Sequence, residues 1–263
     1  MNPKLPDRFY NIFNVDTGKE IGTFCYRGSG PGEVAALGPI FHFFKEKGDL
    51  KTLLFAPNEE KLFIWNITQS IKRDTTVMDK QISYPWREEN GGAPYYLMFL
   101  KDENTLITEL QSFPLNDKEA TLPAYQKRTL DTNKLLKSFS SYKKSIRNDE
   151  ASILPESFFY SNDAIKPDGT KVVQAMVHLA QLNILDLETG HVSGYRLEGE
   201  PDFSVFKSDE KIKSYFTRVQ ADDNYIYAVY WGKERWERFE TPHMNIIHLY
   251  DWDGNLIQKI ETD

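Results

Sequence analysis

The chain has 263 residues, a formal net charge of -7, and 40% hydrophobic and 14% aromatic residues, enough apolar material to bury a sizeable core without staples. That acidic balance, with no dense Lys/Arg block, excludes a general nucleic-acid surface, because phosphate binding needs a basic stripe. The single cysteine, Cys25, excludes an internal disulfide and a cysteine-built metal cage, and no apolar run reaches the roughly 18 residues of a membrane helix, so no transmembrane segment is expected.

Taken in chain order, the opening MNPKLPDRFY has no apolar h-region, so a secretion signal is either absent or was removed ahead of it. A hairpin follows: FYNIFNVDTGKEIGTF from Phe9 sets two alternating apolar runs around a turn of Asp16, Thr17 and Gly18. Next comes CYRGSGPGEV from Cys25. The segment after Gly38 is the least clear.

The hairpin pattern then recurs as KLFIWNITQSIKRDTTV from Lys61, AYQKRTLDTNKLLKSF from Ala124, AQLNILDLETGHVSGYRL from Ala180 and NIIHLYDWDGNLIQKI from Asn245, at starts roughly 50 to 65 residues apart. Between these lie hairpins of a second kind, LMFLKDENTLITEL from Leu97, AIKPDGTKVVQAMV from Ala164 and TRVQADDNYIYAVY from Thr217. With the strands of one unit lettered a to d, the chain reads c–d followed by four a–b–c–d units. That makes roughly 18 strands and no helix of three turns. Four-stranded meanders at this period predict an all-β fold, a β-propeller with one domain over 1–263.

Turns in an antiparallel meander alternate between the two ends of the sheet. The short turns are a–b and c–d. The long connections, 27–36, 78–93, 111–123, 142–157, 198–213 and 233–244, are all b–c or d–a, so functional loops are expected at that end.

The glycine loop lacks the Gly-Lys-Ser/Thr ending and the following helix of a phosphate cradle. Gly28, Gly30, Pro31, Gly32 and Glu33 instead read as a structural turn, with glycines allowing positive φ, Pro31 stiffening the chain, and Glu33 accepting backbone N–H bonds. The b–c loop KERWERFETPHM joins flat apolar surface from Trp236 to the donors Arg235, Arg238 and His243, and YPWREENGG repeats the theme with Trp86 and Arg87. Tryptophan with arginine is the composition of binding hot spots, and these six residues are the candidate ligand-binding set; the opposing account folds Trp236 back over the outer strands.

His42, His178, His191, His243 and His248 form no metal-ligand motif, and His178 and His248 fall within strand patterns. Asp168, Asp223 and Asp253 read as turn formers. No nucleophile elbow, Ca²⁺ loop or other catalytic or cofactor motif is present.

The hairpin from Phe9 with the following G-S-G-P-G-E resembles the signature of TolB-like, six-bladed β-propeller proteins common in Bacteroidales, in which a G-x-G-P-x-E turn follows the d strand of an early blade. The resemblance implies six blades, export to the periplasm or outer membrane, often as a lipoprotein, and no settled activity. Four and a half to five blades are read here. An N-terminally incomplete six-bladed propeller is therefore expected, with a five-bladed ring as the alternative. A non-enzymatic cell-envelope module binding a peptide, glycan or protein partner is the first functional expectation. An envelope polysaccharide lyase or hydrolase is the second.

Overall fold

The computed structural model describes residues 7–30, 33–38, 40, 42–86, 93–111, 124–141, 160–200, 202, 213–234, 237 and 246–261. The described chain forms a two-stranded sheet and four four-stranded antiparallel sheets, each a meander of consecutive strands. The hairpin is β1 (Arg8–Phe13) and β2 (Glu20–Tyr26). The first sheet holds β3 (Phe43–Glu46), β4 (Asp49–Ala56), β5 (Lys61–Asn66) and β6 (Met78–Ser83). The second holds β7 (Ala93–Asp102), β8 (Thr105–Gln111), β9 (Ala124–Thr129) and β10 (Leu135–Ser140). The third holds β11 (Ser161–Ile165), β12 (Lys171–Met176), β13 (Gln181–Asp186) and β14 (Val192–Arg196). The fourth holds β15 (Lys213–Ala221), β16 (Tyr225–Glu234), β17 (Ile246–Asp251) and β18 (Leu256–Glu261). The all-β, blade-by-blade reading of the sequence therefore holds: a c–d hairpin precedes four a–b–c–d units.

The chain divides into two compact units, Met1–Ala93 with Met98–Leu106 and Arg128–Leu136, and Pro94–Leu97 with Ile107–Lys127 and Lys137–Asp263. In the first, the b and c strands of the first sheet are buried on both faces, which explains their near-continuous apolar runs. Leu54, Ala56, Phe63 and Trp65 meet Phe9, Phe24 and Cys25 of the hairpin. From the other face, Leu53, Phe55, Leu62 and Ile64 meet Met98, Leu106 and Leu130. In the second unit, Val173, Ala175, Leu182 and Ile184 of the third sheet pack with Phe216, Ile226, Ala228 and Tyr250 of the fourth. Each fully buried aliphatic or aromatic side chain contributes about 1.5–3 kcal/mol. The d strands are mostly exposed, as in β18 with Leu256 and Ile257.

The connections differ from expectation in three places. Residues 67–77, read as part of a hairpin, hold a two-turn helix α1 (Ile67–Arg73), so one c–d connection is long. Asn66 caps it, its side-chain oxygen accepting from the Gln69 N–H at 2.9 Å. Buried Ser70 takes the indole N–H of Trp65 at 2.9 Å and gives its proton to Asn66 O at 2.7 Å, tying the helix to β5. Residues 78–83, read as loop, are β6, shortening that d–a connection. Two b–c connections, 57–60 and 177–180, are short, and His178 sits in the second rather than in a strand.

Candidate functional site

Two long connections leave the b–c and d–a end of the second unit, after β14 and after β16. Glu200 lies on the first, on a turn whose Leu197 N–H bonds Ala180 O at 2.9 Å across the b–c bend. Its carboxylate accepts the Tyr215 hydroxyl of β15 at 2.9 Å. Glu200 is also near enough to Tyr230 of β16 to help burial raise its pKa. Tyr215 is itself fixed, its N–H donating to Val177 O at 2.7 Å.

Behind Tyr230 the group continues inward as an aromatic stack. The His248 ring of β17 lies parallel to Tyr230, centroids 4.4 Å apart, while Phe216 meets both rings edge-on at 5.8 and 6.2 Å. His248 is 1% exposed, and its Nδ1 is 3.2 Å from the Tyr250 hydroxyl. Local sequence explains the stack. On one face of the β16–β17 ladder, His248 is paired with Ala228 and Tyr250 with Ile226. Small Ala228 leaves room for the diagonal meeting of Tyr230 and His248.

Burial, with Lys259 nearby, lowers the His248 pKa to about 4, so the imidazole is neutral. Burial and the Glu200 carboxylate raise the pKa of Tyr215 and Tyr230, and burial with the neighbouring Tyr230 raises that of Tyr250. The tyrosines are thus held as phenols. A general acid or base works best with a pKa near the working pH, and here histidine and tyrosines are driven away from neutrality in opposite directions. Tyr215, Phe216, His248 and Tyr250 are buried, so the group is a packed, hydrogen-bonded base at the roots of the two connections.

The loop after β16 begins beside it. The Lys233 ammonium lies 5.7 Å from the Trp231 ring centre, and the Glu234 N–H donates to the Glu237 carboxylate at 2.6 Å. Arg235, Trp236, Arg238 and His243 lie outside the described residues, as does Arg87. Trp86, in the first unit, is half-buried; its indole N–H bonds Pro57 O at 3.1 Å and its ring meets Phe55 edge-on. Sequence reasoning missed Glu200, Tyr215, Tyr230 and His248. Their numbers share no short spacing, and only strand register brings them together.

The glycine loop closes on itself. A parallel bridge joins Arg27 and Val34, the Gly28 N–H donates to Val34 O at 3.1 Å, and the Gly30 N–H donates to the Glu33 carboxylate at 2.9 Å. Gly28 and Gly30 do not have positive φ, contrary to the sequence reading. A Cβ on Gly28 would fall inside the Glu33 carboxylate, so close approach is the requirement there. Pro31 and Gly32 lie outside the described residues. Among the described residues, no group of three or more His, Cys, Asp or Glu side chains could hold a metal, and no helix is long and apolar enough to cross a membrane.

No curated protein matches the chain by sequence. Among solved structures, it is similar to a candidate exported protein of Bacteroides fragilis, at 15% identity and a TM-score of 0.45, over 96% of this chain and 64% of that one. A functionally unknown protein of Desulfotomaculum acetoxidans matches at 10% identity and a TM-score of 0.44, over 96% and 62%. Hsv2 of Kluyveromyces lactis matches at 9% identity and a TM-score of 0.41, over 92% and 68%. A family model described as TolB-like 6-blade propeller-like matches residues 2–263. With four consecutive four-stranded meanders in place, the chain belongs to the TolB-like 6-blade propeller-like family.

Proposed function

We propose that the chain is a non-enzymatic binding propeller of the bacterial cell envelope that engages a peptide, glycan or protein partner at the b–c and d–a end of its third and fourth sheets. The observation that carries the reading is the Glu200 carboxylate held by the Tyr215 hydroxyl at 2.9 Å at the root of two long connections. This gives a rigid floor at the start of the connection whose sequence carries Arg235, Trp236, Arg238 and His243, the proposed contact residues. Aromatic and arginine anchors on a fixed base lower the ordering cost of binding. Trp86 and Arg87 form a second candidate set on their own loop. Family membership supports the envelope location, with a lipid-anchored form as its specific version. It names no substrate.

The enzyme alternative has one point of support, Asp163, whose carboxyl is pushed up to about 6 by burial, a value suited to proton transfer. Its described partners are the hydroxyls of Tyr125 and Ser161 rather than a second acid or a histidine. The geometry therefore favours binding.

The test is an unbiased glycan and peptide array probed with the wild-type chain and with Trp236→Ala/Arg238→Ala. Wild type is expected to select a restricted ligand class, and the double variant to lose at least tenfold in affinity. Unchanged binding by the variant would remove the site assignment, and turnover of an array ligand by the wild type would favour the enzyme reading.

A further inference from the structure

The third sheet carries a polar row across its strands. Asp163 on β11 is paired with Gln174 on β12, Gln174 with Asn183 on β13, and Asn183 with Gly194 on β14. Paired residues share a face, with Cβ atoms about 4.5–5.5 Å apart. This face is the reverse of the one on which Val173, Ala175, Leu182 and Ile184 join the core with the fourth sheet. Tyr125 of β9 reaches it, donating its hydroxyl to Asp163.

Most of the row is satisfied. The Asp163 carboxylate also accepts from the Ser161 hydroxyl at 2.7 Å. The Asn183 amide oxygen accepts from Gln181 at 2.7 Å, and its NH₂ points at the Met176 sulfur at 3.5 Å. Gln174 is the exception. It is 0% exposed, and among the described residues neither Oε1 nor Nε2 has a hydrogen-bond partner. Buried polar atoms left this way are costly and rare, and an ordered water or ion is the usual resolution.

The amide distinguishes between those two. A cation would satisfy Oε1 but leave the Nε2–H donors facing a positive charge. Water both accepts and donates, so one molecule on the amide edge can take an N–H and give a proton to Oε1. Its second proton is then available to the Asp163 carboxylate, one strand away.

We infer that the third sheet encloses an ordered internal water between Gln174 and Asp163, built into the fold as the missing partner of the glutamine amide. The water ties β11 to β12 through side chains as well as through the backbone ladder, and it joins Asp163 and Gln174 in one polar network. This site is independent of the proposed binding surface.

A high-resolution crystal structure of the full chain, grown with and without thallium, is the test, supported by ¹⁷O water relaxation dispersion on wild type and Gln174→Met. The expected result is a density peak about 2.7–3.2 Å from the Gln174 amide atoms without a thallium signal, and one fewer long-lived buried water in the variant. A peak that scatters as thallium, an empty position, or an amide bonded directly to another side chain would overturn the inference. The wild-type crystal decides it even if the variant fails to fold.

Discussion

At Gly28 and Gly232 single hydrogen atoms in place of side chains hold larger arrangements together. Gly28→Ala must drive the Glu33 carboxylate away from the Gly30 N–H, and the expected cost is about 1 kcal/mol, read as a shift in the urea midpoint. Gly232 has φ +69°, and a Cβ there would lie 2.5 Å from the Tyr230 hydroxyl oxygen. Gly232→Ala is therefore expected to cost about 1–3 kcal/mol through backbone strain and to displace the Tyr230 ring, weakening array binding as well. A variant as stable and as tight-binding as wild type would refute that role. Turn chemistry is equally local. Asp168 does accept the N–H of Thr170 at 2.9 Å, but in the later turns the acceptors are Asp222 and Asp251 rather than Asp223 and Asp253. The sequence shows that a turn acid is present; register decides which one faces the backbone.

The strands were readable because alternation and turn residues are written in adjacent positions. Helix α1 was not, although its signals are present: Asn66 at the cap, Gln69 three residues on, and Lys72 and Arg73 in the last turn. Seven residues are too few for apolar periodicity to compete with the strand pattern on either side. Tertiary bonding stabilises it instead, because the Asn66 amide also donates to Asp49 and Asp79 at 3.1 and 3.0 Å. Asn66→Ala loses the cap and both carboxylate contacts, with an expected cost of about 1–2 kcal/mol. Leu54→Ala, in a fully buried strand position, is expected to cost about 2–5 kcal/mol. If thermal melts ranked these two the other way, the packing of the first sheet would be wrongly described. The Glu200 site was illegible for the opposite reason, since its members come from a d–a connection, β15, β16 and β17.

For the whole molecule, buried titratable groups set the acid response. His42 and His248 are lowered by burial to about 4, so both stay neutral in the folded chain while the unfolded chain protonates them near 6.5. They contribute stability that is present above about pH 6.5 and lost as pH falls toward 4. Asp163, raised to about 6 by burial, acts with the opposite sign: it favours the folded chain at low pH, and that contribution is lost as pH rises through 6. Between about pH 4 and 6 the folded state thus lacks two protons and gains one. Stability is expected to rise by about 1.4 kcal/mol per pH unit, and by about twice that in Asp163→Asn. Equal slopes for wild type and variant would contradict the placement of Asp163.

The account rests on recognition at the b–c and d–a end of the third and fourth sheets. The most direct measurement is amide hydrogen exchange along the whole chain, with and without the strongest array ligand. The prediction is slowed exchange over 197–202 and 231–244, with the a–b and c–d turns unchanged. Protection confined to those turns, or none at the Glu200 end, would contradict it.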